Sequence, residues 1–166
     1  MAKPQPPPDE GHQMVDQMRT IAKAMMQGTP HARALGLEVT AIDRARASGK
    51  VAYRPDLIGD PDTGVIAGGV VTAFLDNLCG VAVMAALDQP TSIATLDLRI
   101  DYMRPATPGQ DLLAAAHCYK VTRTIAFVRA TAYEASVEDP IATATAAFAL
   151  SSDGGRKPGS NRRPPQ

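Results

Sequence analysis

The hydrophobic period of this chain changes several times between residue 36 and residue 151. "GLEVTAIDRARASGKVAYRP" alternates apolar and polar positions and predicts two strands that turn at Ser48-Gly49. The run from Val65 to Leu87 then holds a single carboxylate, Asp76, and no other charge. It is too long for one strand and rich in helix formers, so it predicts a long apolar helix. "TSIATLDLRIDYMRPA" returns to alternation, with Leu96, Leu98, Ile100 and Tyr102 on one side and Asp97, Arg99 and Asp101 on the other. That is the pattern of a half-buried strand, stopped by Pro105 and the Pro108-Gly109 turn. "DLLAAAHCYKVTR", "TIAFVRATAYEAS" and "PIATATAAFALSS" predict three more strands, with Glu138-Asp139-Pro140 turning before the last.

Upstream, Met14, Met18, Ile21 and Met25 recur at helical spacing until Gly28 and Pro30 end the pattern. Both ends are rich in proline, which fits chain too polar to offset its ordering entropy. The expected organisation is a Pro-rich tail over 1–11, a helix over 12–30, one domain over 31–151 and a second tail over 152–166. One long apolar helix against an antiparallel sheet is an α+β architecture.

On a helical wheel Val70, Val71, Phe74, Leu75, Leu78, Val81, Ala82 and Ala85 share one face, suited to packing on the sheet. Asp76 falls opposite, beside Gly69, Thr72, Ala73 and Gly80. A solvated helix back normally carries Lys, Glu or Arg. Small residues instead let another backbone or a ligand come close, which points to a subunit interface holding a site. An unpaired buried carboxylate is costly, so Asp76 must be solvated, paired or used. An Asp76 that simply meets water beside Asn77, or one that caps a neighbouring segment, are the two plainer explanations. Gly68-Gly69 opens the helix, where backbone N–H groups lack acceptors and can meet a carbonyl oxygen. Such donors can polarise an acyl carbonyl while Asp76, two turns on, handles a water molecule; a tight turn is the plainer account of the pair.

Composition narrows the partners. Lys+Arg and Asp+Glu both total 17, so nothing favours nucleic acid or an anionic membrane surface. Cys79 and Cys118 form no CxxC and fit a reduced compartment. No apolar leader opens the chain, and Asp76 with Asn77 in mid-run argues against a membrane span, so a cytoplasmic protein is expected. His12, His31 and His117 form no metal-binding spacing, and no cofactor is expected.

In "GDPDTGVIAGGVVTAFLDNLCG" and "ATLDLRIDYMRPATPG" the chain resembles the hotdog-fold thioesterases, specifically the PaaI-type acyl-CoA thioesterases of phenylacetate degradation. The resemblance spans about residues 36–150. It implies a hotdog fold, a long helix wrapped by an antiparallel sheet, in homodimers or homotetramers with sites at the helix–helix interface. It further implies hydrolysis of a small, medium-chain or aromatic acyl-CoA. Asp76 matches the acid, as general base or nucleophile, and Gly68 the glycine whose N–H polarises the carbonyl. Thr95 matches a Ser/Thr that holds the attacking water from across the interface. Ala67, Gly69 and Asn77 would line the substrate, and Arg104, Arg123 or Arg129 would meet CoA phosphates. One departure stands out: relatives read His-Gly-Gly where this chain has Ala67-Gly68-Gly69. The lost imidazole makes a non-catalytic acyl-CoA or hydrophobic-ligand module the alternative. A hydratase or dehydratase is a third reading, but it calls for a histidine that the motif does not contain.

Overall fold

A computed structural model describes residues 28–151 together with Thr20 and Ala24. Of the expected helix over 12–30, only residues 20, 24 and 28–30 are described; the rest of it and both tails fall outside the described residues. A short helix α1 (Pro30–Leu35) leads into the domain. The Thr29 side chain caps it by accepting from the Ala32 N–H, Pro30 opens it, and Gly36 closes it at φ 68°. The antiparallel pair β1 (Leu37–Asp43) and β2 (Arg46–Val51) follows. A 3-10 turn (Pro55–Leu57) and a small ladder of β3 (Ile58–Asp60) and β4 (Val65–Ile66) then deliver the chain to α2 (Gly68–Met84). Four strands complete the domain: β5 (Ser92–Tyr102), β6 (Leu112–Val121), β7 (Ile125–Tyr133) and β8 (Ala142–Ser151).

The main sheet has six strands in the order β1-β2-β6-β7-β8-β5, every neighbouring pair antiparallel. α2 lies across one face of it, chiefly over β2, β6 and β7. This is the expected α+β arrangement, one long helix on a large antiparallel sheet. The 65–87 run thus holds β4 and then a core helix of 17 residues, and no helix among the described residues is long and apolar enough to cross a membrane.

The core divides its bulk unequally. Phe74, Leu75 and Leu78 of α2 are fully buried, whereas the inner face of the sheet offers Ala114, Ala116, Ala130, Ala132, Ala142, Ala144 and Ala146. Large side chains on the helix against small ones on the sheet let the two layers interlock at interior packing density.

The strand pair turns elsewhere than the sequence suggested. Arg44-Ala45 makes the turn, with Asp43 paired to Arg46 and Ala45 in the left-handed region at φ 58°. Ala45 is held there from both sides: its N–H donates to Ala85 O and its carbonyl accepts from Cys118 N–H. Gly49 lies inside β2 and is buried, because α2 crosses directly above it. A Cβ at residue 49 would stand 2.8 Å from Glu38 O, 2.9 Å from the Phe74 ring and 3.2 Å from Leu78. The glycine is a spacing device, not a turn residue. Gly49→Ala is therefore expected to cost between about 1 and 3 kcal/mol by overpacking, read as a lower denaturant midpoint with an unchanged slope.

Candidate active site

Asp76 sits half-buried on the face of α2 that points away from the main core. The wheel holds over most of its length: Val70, Val71, Phe74, Leu75, Leu78, Val81 and Ala82 are buried, while Gly69 and Thr72 are exposed and Ala73 and Gly80 half-exposed; Ala85, expected on the buried face, is the half-exposed C-cap, and Cys79 and Val83 on the Asp76 side are buried as well. Asp76 does not simply meet water, because Thr95 Oγ1 donates to its Oδ1 at 2.9 Å. Its second oxygen has no partner among the described residues.

The way β5 delivers Thr95 depends on an irregularity. Thr95 pairs with Phe148 and Asp97 with Ala147, so Leu96 has no partner and forms a bulge. Ile93 and Thr95 before the bulge therefore share the helix side of the sheet with Leu98, Ile100 and Tyr102 after it. In an unbroken strand Thr95 would face away with Asp97, Arg99 and Asp101. This corrects the simple alternation, which placed Leu96 with Leu98; Leu96 is 59% exposed. The bulge thereby brings the Thr95 hydroxyl to Asp76 within one chain.

The glycine pair lies at the other end of the site. Ala67 stands at the N-cap without a side-chain cap, and its own N–H donates to Leu57 O at 2.9 Å. As the first helical residues, Gly68 and Gly69 have N–H groups with no intrahelical acceptor. Gly59 packs on Ala67 so closely that a Cβ at residue 59 would lie 2.7 Å from Ala67 Cα. A cleft of about 340 Å³ opens beside Gly68, walled by Val65, Ile66, Val71, Met103, Ala106 and Ile141. Eight residues separate Gly68 from Asp76, a rise of about 12 Å. Within one protomer the two therefore cannot act on the same carbonyl, which overturns the single-helix arrangement drawn from the sequence.

The remaining candidates divide. Asn77 turns its amide back to Ala73 O at 2.9 Å. Arg104 lines the cleft wall, but its guanidinium is engaged by Glu134 at 3.1 Å and Asp139 at 3.2 Å. Arg123 is exposed in the β6–β7 turn, and Arg129 stacks on the Tyr119 ring at 4.7 Å. His31 lies in α1 and His117 in β6, apart from Asp76 and Gly68. Burial pushes the Cys79 thiol up to about 12, and the charge of Asp76 adds to the shift. Burial likewise raises Cys118. Both thiols stay protonated at neutral pH. Iodoacetamide at pH 8 is expected to modify neither cysteine in the folded protein and both after unfolding, as counted by intact mass.

Two important groups escaped the sequence reading. Tyr102 was taken only as an apolar strand position, yet its hydroxyl donates to Gly68 O at 2.7 Å and lies 2.9 Å from Thr72 Oγ1. Glu134, at the end of β7, is the one buried charged side chain among the described residues. Only its place on the inward side of an alternating strand hinted at burial.

Comparison with known proteins fits this geometry. The profile of the thioesterase superfamily matches residues 63–140. Human acyl-coenzyme A thioesterase 13 is 28% identical over 116 residues, 69% of this chain and 80% of the relative. The medium/long-chain acyl-CoA thioesterase YigI of Salmonella typhimurium is 28% identical over 146 residues, 79% of this chain and 92% of the relative. A Pseudomonas aeruginosa crystal structure superposes at TM-score 0.73 with 36% identity, covering 80% of this chain and 98% of that one. The PaaI protein of the E. coli phenylacetic acid degradation operon superposes at TM-score 0.73 with 17% identity, covering 86% and 97%, a likeness of fold. The chain belongs to the thioesterase superfamily, built on the hotdog fold, and is by that membership a thioester hydrolase.

Proposed function

We propose that the protein hydrolyses small, medium-chain or aromatic acyl-CoA thioesters, using water activated by Asp76. The observation that carries this reading is the Thr95–Asp76 hydrogen bond. With one carboxylate oxygen fixed by the threonine, the other is left to take a proton from water, and the Thr95 oxygen can accept from the same water. Water attacks the acyl carbon, Asp76 takes its proton, and the tetrahedral oxyanion is met by backbone N–H groups. The C–S bond then breaks, the CoA thiolate leaves and recovers the proton, and the free carboxylic acid remains. The cleft beside Gly68 lies at the lower end of the size range of small-molecule sites, and its apolar walls suit an acyl group of modest length.

The oxyanion donors come from a second copy of the chain in this proposal. Three features support a homodimer, which can pair further into a tetramer. Gly68 and Asp76 of one protomer are too far apart along the helix. The small-residue face of α2 is exposed at Gly69 and Thr72 and only partly covered at Ala73 and Gly80 in a single chain. β5 is an eleven-residue edge strand hydrogen-bonded on one side only, a liability that proteins usually cover. Pairing two copies along β5 in antiparallel fashion brings the Gly68 end of one protomer towards the Asp76 end of the other.

A panel of acyl-CoA thioesters from acetyl to palmitoyl, with phenylacetyl-CoA, tests the reading through free-thiol release alongside the molar mass in solution. Turnover by a dimer or larger assembly is expected. Ala67 supplies no imidazole to the carbonyl, and this favours the alternative of a binding module. Saturable acyl-CoA binding without thiol release would decide for that alternative.

A further inference from the structure

The first turn of α2 is poorly made by its own sequence. Ala67 offers no side chain to cap it, and two glycines, the weakest helix formers after proline, occupy the first two positions. If the Gly68–Gly69 stretch supplies the donors to the acyl oxygen, side-chain contacts must add to the helix ladder in fixing its direction. Among the described residues, the side-chain hydroxyls that reach it are those of Tyr102 and Thr72. Tyr102 closes the edge strand β5 and is 50% exposed, yet its hydroxyl lies 2.7 Å from Gly68 O. Its oxygen is free to accept from Thr72 Oγ1 at 2.9 Å, and Thr72 also lies 3.1 Å from Gly68 O. The ring rests on the turn itself, for a Cβ at residue 68 would meet the hydroxyl at 3.4 Å.

The carbonyl in this grip shares its peptide plane with the N–H of Gly69. A planar peptide has no independent freedom at its two ends. A hydroxyl that fixes the direction of Gly68 O therefore fixes the direction of the Gly69 N–H. The same hydrogen bond polarises the amide and strengthens that N–H as a donor. We propose that Tyr102 is a positioning residue for thioester hydrolysis, holding the Gly68–Gly69 peptide so that its N–H stays aimed at the acyl oxygen. Thr72 supports the hydroxyl from the next turn. In this arrangement a phenol on the edge strand takes over part of the ordering that the sequence gives up at Ala67.

This role rests on the thioesterase reading above, and the experiment separates the two. Tyr102→Phe keeps the ring and removes the hydroxyl. With octanoyl-CoA and phenylacetyl-CoA, kcat is expected to fall about tenfold or more, part of the 10²–10³ that a whole oxyanion donor is worth, with KM within about twofold. Thr72→Val should reproduce part of that loss and Thr72→Ser almost none. Amide hydrogen exchange over residues 68–72, measured without substrate, should accelerate in Tyr102→Phe while β6 and β7 stay protected. Molar mass and melting temperature confirm that fold and assembly are intact. An unchanged kcat in Tyr102→Phe, or unchanged exchange at the first turn, would overturn the positioning role while leaving the thioesterase standing. Wild-type protein that releases no thiol from any acyl-CoA would overturn the thioesterase reading and this role with it.

Discussion

Asp76→Asn is expected to lower kcat by about 10²–10⁴-fold, the usual contribution of a positioned general base. The amide is nearly isosteric and can still accept from Thr95 through its oxygen, so the helix and the β5 bulge should persist. What it cannot do is take a proton from water. KM should change little, because the carboxylate works on the water and not on the acyl group or the CoA. Asp76→Ala should lose at least as much activity and, with the Thr95 hydroxyl released, gives no structural support in its place. Steady-state thiol release and molar mass on both variants form the measurement; undiminished turnover in both would remove Asp76 from the mechanism. Thr95→Val should be milder, since it removes the group that orients the carboxylate and leaves the carboxylate itself.

Glu134→Ala is expected to be the most damaging substitution for stability, at about 3 kcal/mol. Glu134 holds the segment between β5 and β6 to the end of β7. It accepts from Arg104 at 3.1 Å, from the Thr107 hydroxyl at 2.9 Å and, very closely, from the Thr107 N–H. Its side chain is only 5% exposed, and Arg104, at 27%, has little water to fall back on. Burial works against the Arg104 charge, but Glu134 and Asp139 outweigh it and hold the guanidinium firmly protonated. Alanine would leave the Thr107 N–H without its partner and the arginine with only Asp139 and the Pro105 carbonyl. For a domain of this size the loss corresponds to a melting temperature about 10 °C lower. Glu134→Gln, which keeps acceptors in place, should lose roughly half as much. The loosened segment includes Met103 and Ala106 of the cleft wall, so KM for acyl-CoA should rise in the same variants.

Most of the fold was legible because its two periods are clean. The alternation of β6, β7 and β8 and the apolar face of α2 are each dictated by one-sided burial, and the strands and helix lie where the pattern put them. The misreadings share a cause, which is that a side chain's neighbours across the fold overrule its local preference. Ser48-Gly49 has the chemistry of a turn, but the helix above β2 needs the space, and the turn is displaced to Ala45. Pro30 was taken as the end of one helix when it is the first residue of another, capped by Thr29. Asp76 was legible from the lack of charge around it. Its distance from Gly68 follows from helix geometry alone, and only the fold made plain that one chain cannot close it. Tyr102 and Glu134 were not legible, since their partners lie 34 and 27 residues away in sequence.

The bulge in β5 also bears on how relatives of this chain are compared. Leu96 adds one residue to the stretch between the hydroxyl of Thr95 and the Tyr102-Met103-Arg104-Pro105 corner. A relative whose strand runs straight keeps the same faces with one residue fewer. A gap-free alignment anchored at that corner would then set the relative's hydroxyl opposite Leu96, and the threonine would be scored as lost. The correct alignment places its gap at Leu96.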